Sequence, residues 1–101
     1  MKSPDDCRNI DEVREAIDKI DYEIVGLLGK RFGYVKEVVK YKARDVNSII
    51  ANERKEAVIK TRRELAENNG LNPDIIENIY RILIDYFIKE ELELINKREI
   101  N

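Results

Sequence analysis

The sequence predicts an all-α fold of three helices, the first of them unusually long. Apolar residues recur at steps of three and four through most of the chain, the spacing of helices with one buried face. No segment shows the apolar–polar alternation that indicates a strand. Only two prolines and four glycines interrupt the 101 residues. We therefore expect one helical domain over residues 1–101.

The first helix is predicted from about Asp11 to about Lys42. About 32 residues with a rise of ~1.5 Å each make a rod of roughly 48 Å, whereas a compact chain of this length has a radius of gyration of about 13 Å. Its apolar stripe therefore extends beyond any core that one chain could build. We expect a second copy to cover the stripe in a two-fold homodimer. The stripe consists of Ile10, Val13, Ile17, Ile20, Ile24, Leu27, Tyr34, Val38 and Tyr41.

Two further helices follow a break in the pattern at residues 43–51, which predicts a loop. The second helix begins near Asn52 and ends at the segment E-N-N-G, where Gly70 is a plausible left-handed cap. Asn72 caps the third helix and Pro73 suits its first turn. This helix is predicted to run to about Asn96.

Two long cations stand on the stripe of the first helix. Arg31 occupies a position where an apolar residue is expected, and Lys42 lies eleven residues later, about 20° around the helix and roughly 16 Å away. Their placement favours an anion site between them. Arg14 precedes Arg31 by roughly 25 Å and could reach the same anion only from an antiparallel partner chain. The alternatives to an anion site are simple structural roles: a packed stem for Arg31, an interaction with the helix dipole for Lys42 and a surface ion pair for Arg14.

The third helix carries carboxyl groups where its apolar stripe should continue. After Leu83 and Phe87, the next stripe positions hold Glu90 and Glu91. A carboxyl on a buried stripe must be paired or protonated, unless the helix frays and solvates it.

Composition excludes several kinds of chemistry. The chain has no histidine and a single cysteine, Cys7, so it lacks the commonest general base, any His-based nucleophile pair and an intrachain disulfide. We expect no metal site and a cytoplasmic location. A net charge of −2 without an aromatic platform gives no reason to expect nucleic acid as a partner. No run of eighteen apolar residues occurs, so we expect neither a membrane span nor a signal peptide.

The segment VREAIDKIDYEIVGLLGKRFGYVKEVVKYK resembles the first helix of the all-helical (type II) chorismate mutase family. The opening R-x-x-I-D-x-I-D and the eleven-residue gap from K-R to the last Y-K carry the resemblance. It continues through N-E-R at 52–54 and N-G-L at 69–71 to the third helix. The leader P-D-D-C and the later Y-V-K look like the isochorismate-pyruvate lyase branch.

The resemblance implies an intertwined homodimer of three-helix chains with two equivalent sites and a lid at residues 43–51. It assigns a substrate carboxylate to Arg14 of the partner chain and the other carboxylate to Arg31. Lys42 then bonds the ether oxygen of the breaking bond, and Glu53 accepts a hydrogen bond from the ring hydroxyl. Glu91 faces the same ether oxygen. Many relatives carry glutamine there, which donates a hydrogen bond, whereas an ionised glutamate has no proton to donate. We therefore expect Glu91 to act in its protonated form.

The implied substrates, chorismate and isochorismate, are small dicarboxylates, and their reactions are pericyclic. Such chemistry needs a fixed conformer and stabilised charge on the ether oxygen, with no nucleophile, metal or cofactor. From the sequence we expect conversion of chorismate to prephenate. The first alternative is an isochorismate-pyruvate lyase forming salicylate and pyruvate. The second is a non-catalytic helical dimerisation module.

Overall fold

A computed structural model describes residues 3–41 and 52–100. Every regular element in these two ranges is a helix, which confirms the all-α prediction. The predicted lid and Lys42 lie outside the described residues. The chain divides into two compact units between Tyr34 and Val35. The elements are a short 3-10 helix Pro4–Asp6, α1 (Ile10–Val38), a 3-10 turn Val39–Tyr41, α2 (Asn52–Asn68) and α3 (Pro73–Ile100).

Helix α1 begins one residue before the predicted start and ends earlier than predicted. Its α-helical part stops at Val38 and tightens to a 3-10 turn through Tyr41. The adjacent β-branched residues Val38 and Val39 have a lower helix propensity than straight-chain residues, and 3-10 turns are common at helix ends. The predicted extent of the first helix was therefore too long for the α-helical part.

No residue described in α1 is buried within this chain. The residues of the apolar stripe are all exposed, from 40% for Val13 to 83% for Tyr41. An exposed apolar row of this length is unusual on a monomer surface. The face that the sequence predicts to be buried is therefore left uncovered by the chain itself.

The turn between α2 and α3 follows the predicted cap chemistry. Gly70 has a φ of 71°, and its N–H donates to the carbonyl of Glu67 at 3.2 Å. The N–H of Leu71 donates to the carbonyl of Ala66 at 2.8 Å, which completes a Schellman motif. Asn72 Oδ1 then accepts from the N–H of Asp74 at 2.8 Å, as expected of an N-cap.

Helices α2 and α3 pack against each other and hold the small core of the second unit. The buried apolar residues are Val58, Ile59 and Ala66 of α2 and Phe87 of α3. Helix α3 runs to Ile100, a turn beyond its predicted end. Within the described ranges, no helix is both long and apolar enough to cross a membrane.

Ion pairs join α2 to α3 along their length and show the register of the two helices. Lys55 Nζ lies 3.1 Å from Asp85 Oδ1, and Glu56 Oε2 lies 3.3 Å from Arg81 Nη2. Further along, Arg63 Nη1 donates to Asp74 at 2.9 Å and to Glu77 at 2.8 Å. Because partners descend on α3 as they ascend on α2, the two helices are antiparallel. These pairs define what is called here the α2–α3 ladder, which also includes the 2.8 Å contact from Arg81 to Glu77.

Candidate functional site

Arg31 is partly withdrawn from water although much of the stripe around it is exposed. Its side chain is half-buried and its Nη1 atom is shielded from solvent. The stripe residues on either side, Leu27 and Tyr34, are 60% and 77% exposed. A guanidinium with reduced solvation attracts an anion more strongly than one in bulk water. The structure therefore places a half-buried arginine on the exposed stripe of α1.

Arg14 is exposed on the same helix, seventeen residues before Arg31. On one continuous helix this spacing separates their Cα atoms by roughly 25 Å. One small dicarboxylate spans far less than this distance. A single chain therefore does not bring the two arginines to one ligand, as the sequence analysis expects.

Glu91 is the buried carboxyl of the second unit. It is 4% exposed and lies one turn after Phe87, which is 6% exposed. Among the described side chains, Glu91 is the one buried polar or charged residue. Glu90, the other sequence candidate, is half-buried. The structure thus resolves which of the two carboxyl groups occupies the apolar stripe.

Glu53 stands exposed in the first turn of α2, where a carboxylate also suits the helix dipole. In the register of the α2–α3 ladder, Glu53 faces the stretch of α3 from Ile84 to Phe87. Glu91 lies further along α3 by about 6–10 Å at 1.5 Å per residue. Both carboxyl groups are therefore at the same end of the α2–α3 pair.

The described cavity of this unit lies elsewhere. It has a volume of about 200 Å³ and is lined by residues near the α2–α3 turn, among them Leu65, Leu71 and Tyr80. It includes neither Glu53 nor Glu91. This cavity is at the opposite end of α2 from Glu53 and is not the candidate site.

The α2–α3 ladder was not predicted from the sequence. Its hub is Glu77, which accepts from Arg81 Nε and from Arg63 Nη1, both at 2.8 Å. The hydrogen bond from Arg81 is the main cause that lowers the pKa of Glu77, Arg63 adds to it, and partial burial opposes it. The four-residue spacing of Glu77 and Arg81 is a readable helical signal. The pairs across helices require the register, which the sequence does not provide.

These features define an all-helical protein with a half-buried arginine on an exposed apolar stripe and a buried carboxyl group on another helix. The chain belongs to the chorismate mutase type II family, whose profile matches residues 13–98. The resemblance found in the sequence is thereby confirmed.

Individual relatives show different extents of likeness. The isochorismate pyruvate lyase of Pseudomonas aeruginosa is 40% identical over 93 residues, which cover 92% of this chain and 91% of that protein. The T-protein of Enterobacter agglomerans is 38% identical over 69 residues, covering 68% of this chain and 18% of that protein. The bifunctional chorismate mutase/prephenate dehydratase of Buchnera aphidicola subsp. Schizaphis graminum is 29% identical over 84 residues, covering 83% of this chain and 22% of that protein.

Proposed function

We propose that this chain is an isochorismate-pyruvate lyase that releases salicylate and pyruvate from isochorismate. The observation that carries the proposal is the likeness to the Pseudomonas aeruginosa isochorismate pyruvate lyase along nine-tenths of both chains. This ranks the lyase above the mutase, the reverse of the order favoured by the sequence alone. Both reactions break the ether C–O bond of a small dicarboxylate, so one set of residues serves either.

The proposed site holds the substrate by its two carboxylates. Arg31 binds one of them from a half-buried position, and the partner's Arg14 binds the other. Guanidinium groups suit this task because they form paired, charge-assisted hydrogen bonds to a carboxylate. Lys42 donates to the ether oxygen, and Glu53 accepts from the ring hydroxyl. Fixing the ligand at these points selects a reactive conformer.

Glu91 is proposed to donate a second hydrogen bond to the ether oxygen. Its side chain is 4% exposed and lies on the apolar stripe of α3, at the position that the resemblance assigns to a group facing that oxygen. In its protonated form it is a hydrogen-bond donor, as glutamine would be. Donors directed at an oxygen that gains negative charge stabilise the transition state more than the ground state.

Dimerisation is part of the proposal because the site is incomplete in one chain. The uncovered stripe of α1 supplies the apolar surface for an antiparallel second copy. The same arrangement brings the partner's Arg14 towards Arg31. One association therefore accounts for both the exposed stripe and the separated arginines.

Product analysis tests the proposed reaction. Purified protein is incubated with isochorismate and, separately, with chorismate, and the products are identified by chromatography. We expect salicylate and pyruvate from isochorismate, and we expect Arg31→Ala to abolish their formation. Prephenate from chorismate without salicylate from isochorismate would instead establish the mutase, which the family description favours.

Two substitutions test the role of Glu91. Glu91→Gln keeps a hydrogen-bond donor and should remain active, whereas Glu91→Ala removes the group and should lose most activity. Equal rates for Glu91→Ala and the wild type would refute the donor role of Glu91 while leaving the reaction itself intact.

A dimerisation module without activity is the alternative from another class. It predicts that neither substrate is turned over and that a bicyclic dicarboxylate mimic of the transition state does not bind. It also predicts that Arg31→Ala leaves all measured behaviour unchanged. Calorimetry with the mimic therefore separates this alternative from both enzymes.

A further inference from the structure

A hydrogen-bonded box closes the start of α1. Asn9 Oδ1 accepts from the N–H of Glu12 at 2.9 Å, and Glu12 Oε2 accepts from the N–H of Arg8 at 2.8 Å. The first N–H groups of a helix have no acceptor within the helix, and Asn9 satisfies one of them, while Glu12 satisfies the N–H of Arg8 just before the helix. Here the glutamate reaches back one residue beyond the cap. The two hydrogen bonds therefore connect Arg8, just before the helix, to the first turn of α1.

Apolar packing within the described chain contributes little to this helix start. Ile10 is 61% exposed, Val13 is 40% exposed, and no described residue of α1 is buried. Exposed helix ends fray, since each terminal residue fixes its backbone for few hydrogen bonds. Within one chain, the box thus favours a formed first turn through hydrogen bonds.

Arg14 depends on that turn through its backbone. Because α1 begins at Ile10, Arg14 is its fifth residue, and the helical pattern pairs the N–H of Arg14 with the carbonyl of Ile10. If the first turn frays, this partner is lost and the base of the Arg14 side chain is no longer fixed. A displacement of about 1 Å at a binding group is enough to weaken a fork-shaped contact with a carboxylate.

We propose that Glu12, through the hydrogen bond that its carboxylate accepts from the N–H of Arg8 beside the Asn9 cap, is a positioning residue for the carboxylate-binding guanidinium of Arg14. The inference rests on the proposed function, in which Arg14 enters the partner's site. Only chains with a formed first turn then present Arg14 correctly. The apparent affinity for substrate falls in proportion to the fraction of such chains.

The negative charge of Glu12 and its hydrogen bond have opposite effects on the affinity for an anionic substrate. Residues two apart on a helix do not face each other, so Glu12 is not placed to pair with Arg14. Removing its negative charge would by itself favour an anionic substrate. Loss of the box therefore raises KM, whereas loss of the charge alone lowers it slightly.

Two substitutions at one position separate these effects. Glu12→Ala removes the hydrogen bond from the N–H of Arg8 and leaves the N–H of residue 12 bonded to Asn9. We expect KM to rise by up to roughly fivefold with kcat nearly unchanged, the signature of lost uniform binding. Glu12→Gln keeps an acceptor oxygen and should hold KM at the wild-type value or slightly below. Glu15→Ala is the matched control, because Glu15 is exposed one turn on and outside the box. Calorimetry with the bicyclic dicarboxylate should follow KM, and sedimentation should show the same assembly for all variants.

A double-mutant cycle assigns the effect to Arg14. If Glu12 acts through Arg14, Glu12→Ala has no further effect on KM in an Arg14→Ala background. A further rise there, or an unchanged KM for Glu12→Ala alone, would overturn the inference. Where Arg14→Ala raises KM but Glu12→Ala does not, the shared site stands and only the positioning role fails. If Arg14→Ala itself has no effect, both fail. Amide exchange in the first turn of α1 should be faster in Glu12→Ala, independently of turnover.

Discussion

The guanidinium of Arg63 donates a 2.8 Å hydrogen bond from Nη1 to Oε1 of Glu77, and this contact joins α2 to α3. Glu77 receives a second hydrogen bond from Arg81, whose fork also reaches Glu56 on α2 at 3.3 Å. Glu77 thereby connects two arginines. Arg63 also contacts Asp74, and Arg81 also contacts Glu56. The contacts of Glu77 hold the α2–α3 ladder together at its middle.

The ladder predicts a specific loss of stability in acid. The hydrogen bond from Arg81, with that from Arg63, lowers the pKa of Glu77 in the folded state below its ordinary value of 4.5. The unfolded chain then binds the proton more readily, so this stabilisation is present above about pH 4.5 and is lost as the pH falls through the folded pKa. Urea unfolding from pH 7 to pH 3 should show a weaker acid dependence for Glu77→Gln than for the wild type.

Glu64→Gln is the control for this measurement, since Glu64 is exposed on α2. It should keep the acid dependence of the wild type. Equal slopes for Glu77→Gln and the wild type would contradict the proposed role of the ladder.

The dimer-shared site predicts complementation between two inactive chains. Arg14→Ala and Arg31→Ala should each lose most activity on their own. When equal amounts are unfolded together and refolded, about a quarter of the wild-type activity should return, because half of the dimers are mixed and each holds one intact site. Steady-state rates before and after co-refolding measure this. Recovery no greater than the sum of the separate variants would show that both arginines of a site come from one chain.

A charge on the stripe of α1 should disrupt assembly. Ile20, which is 44% exposed in the single chain, lies on the stripe, whereas Tyr22 is 84% exposed and lies about 200° around the helix. We expect Ile20→Lys to sediment as a monomer and Tyr22→Lys to remain a dimer. The substitution at Ile20, the less exposed of the two residues, should thus weaken dimerisation more than the substitution at Tyr22. Dimerisation of Ile20→Lys with wild-type strength would place the interface elsewhere.

The left-handed glycine predicts a backbone effect without a steric one. An added Cβ at Gly70 would meet nothing within 4 Å, but its φ of 71° disfavours residues with a side chain. Gly70→Ala should therefore cost about 1 kcal/mol in the free energy of unfolding. Gly70→Asn should cost less, since asparagine tolerates this conformation. Chemical unfolding measures both, and equal losses would indicate a cause other than backbone conformation.

Local signals made much of the fold predictable. Gly70 and Asn72 mark a helix end and a helix start through chemistry that acts within a few residues, and the structure has both. Helical spacing alone indicated a carboxyl group on the apolar stripe at Glu90 or Glu91, and the structure buries Glu91. By contrast, the change from α to 3-10 geometry after Val38 depends on small energetic differences that a hydrophobic pattern does not report.

Contacts between distant segments were not predictable in the same way. Arg63 and Glu77 are fourteen residues apart, and only the packing of α2 on α3 decides which charges meet. The box of Asn9 and Glu12 was accessible from the sequence, since an asparagine followed three residues later by a glutamate is a known start signal. The site roles of Arg14, Arg31, Lys42, Glu53 and Glu91 stay predictions.

The uncovered stripe of α1 has a consequence for how the protein behaves as it becomes scarce. A second chain would supply both the cover for this stripe and the partner's Arg14, so dilution should remove structure and catalysis together. The melting temperature should then rise with the amount of protein present, and turnover per chain should decline below the dissociation constant of the pair. In a cell, the abundance of the chain would itself set the fraction able to work.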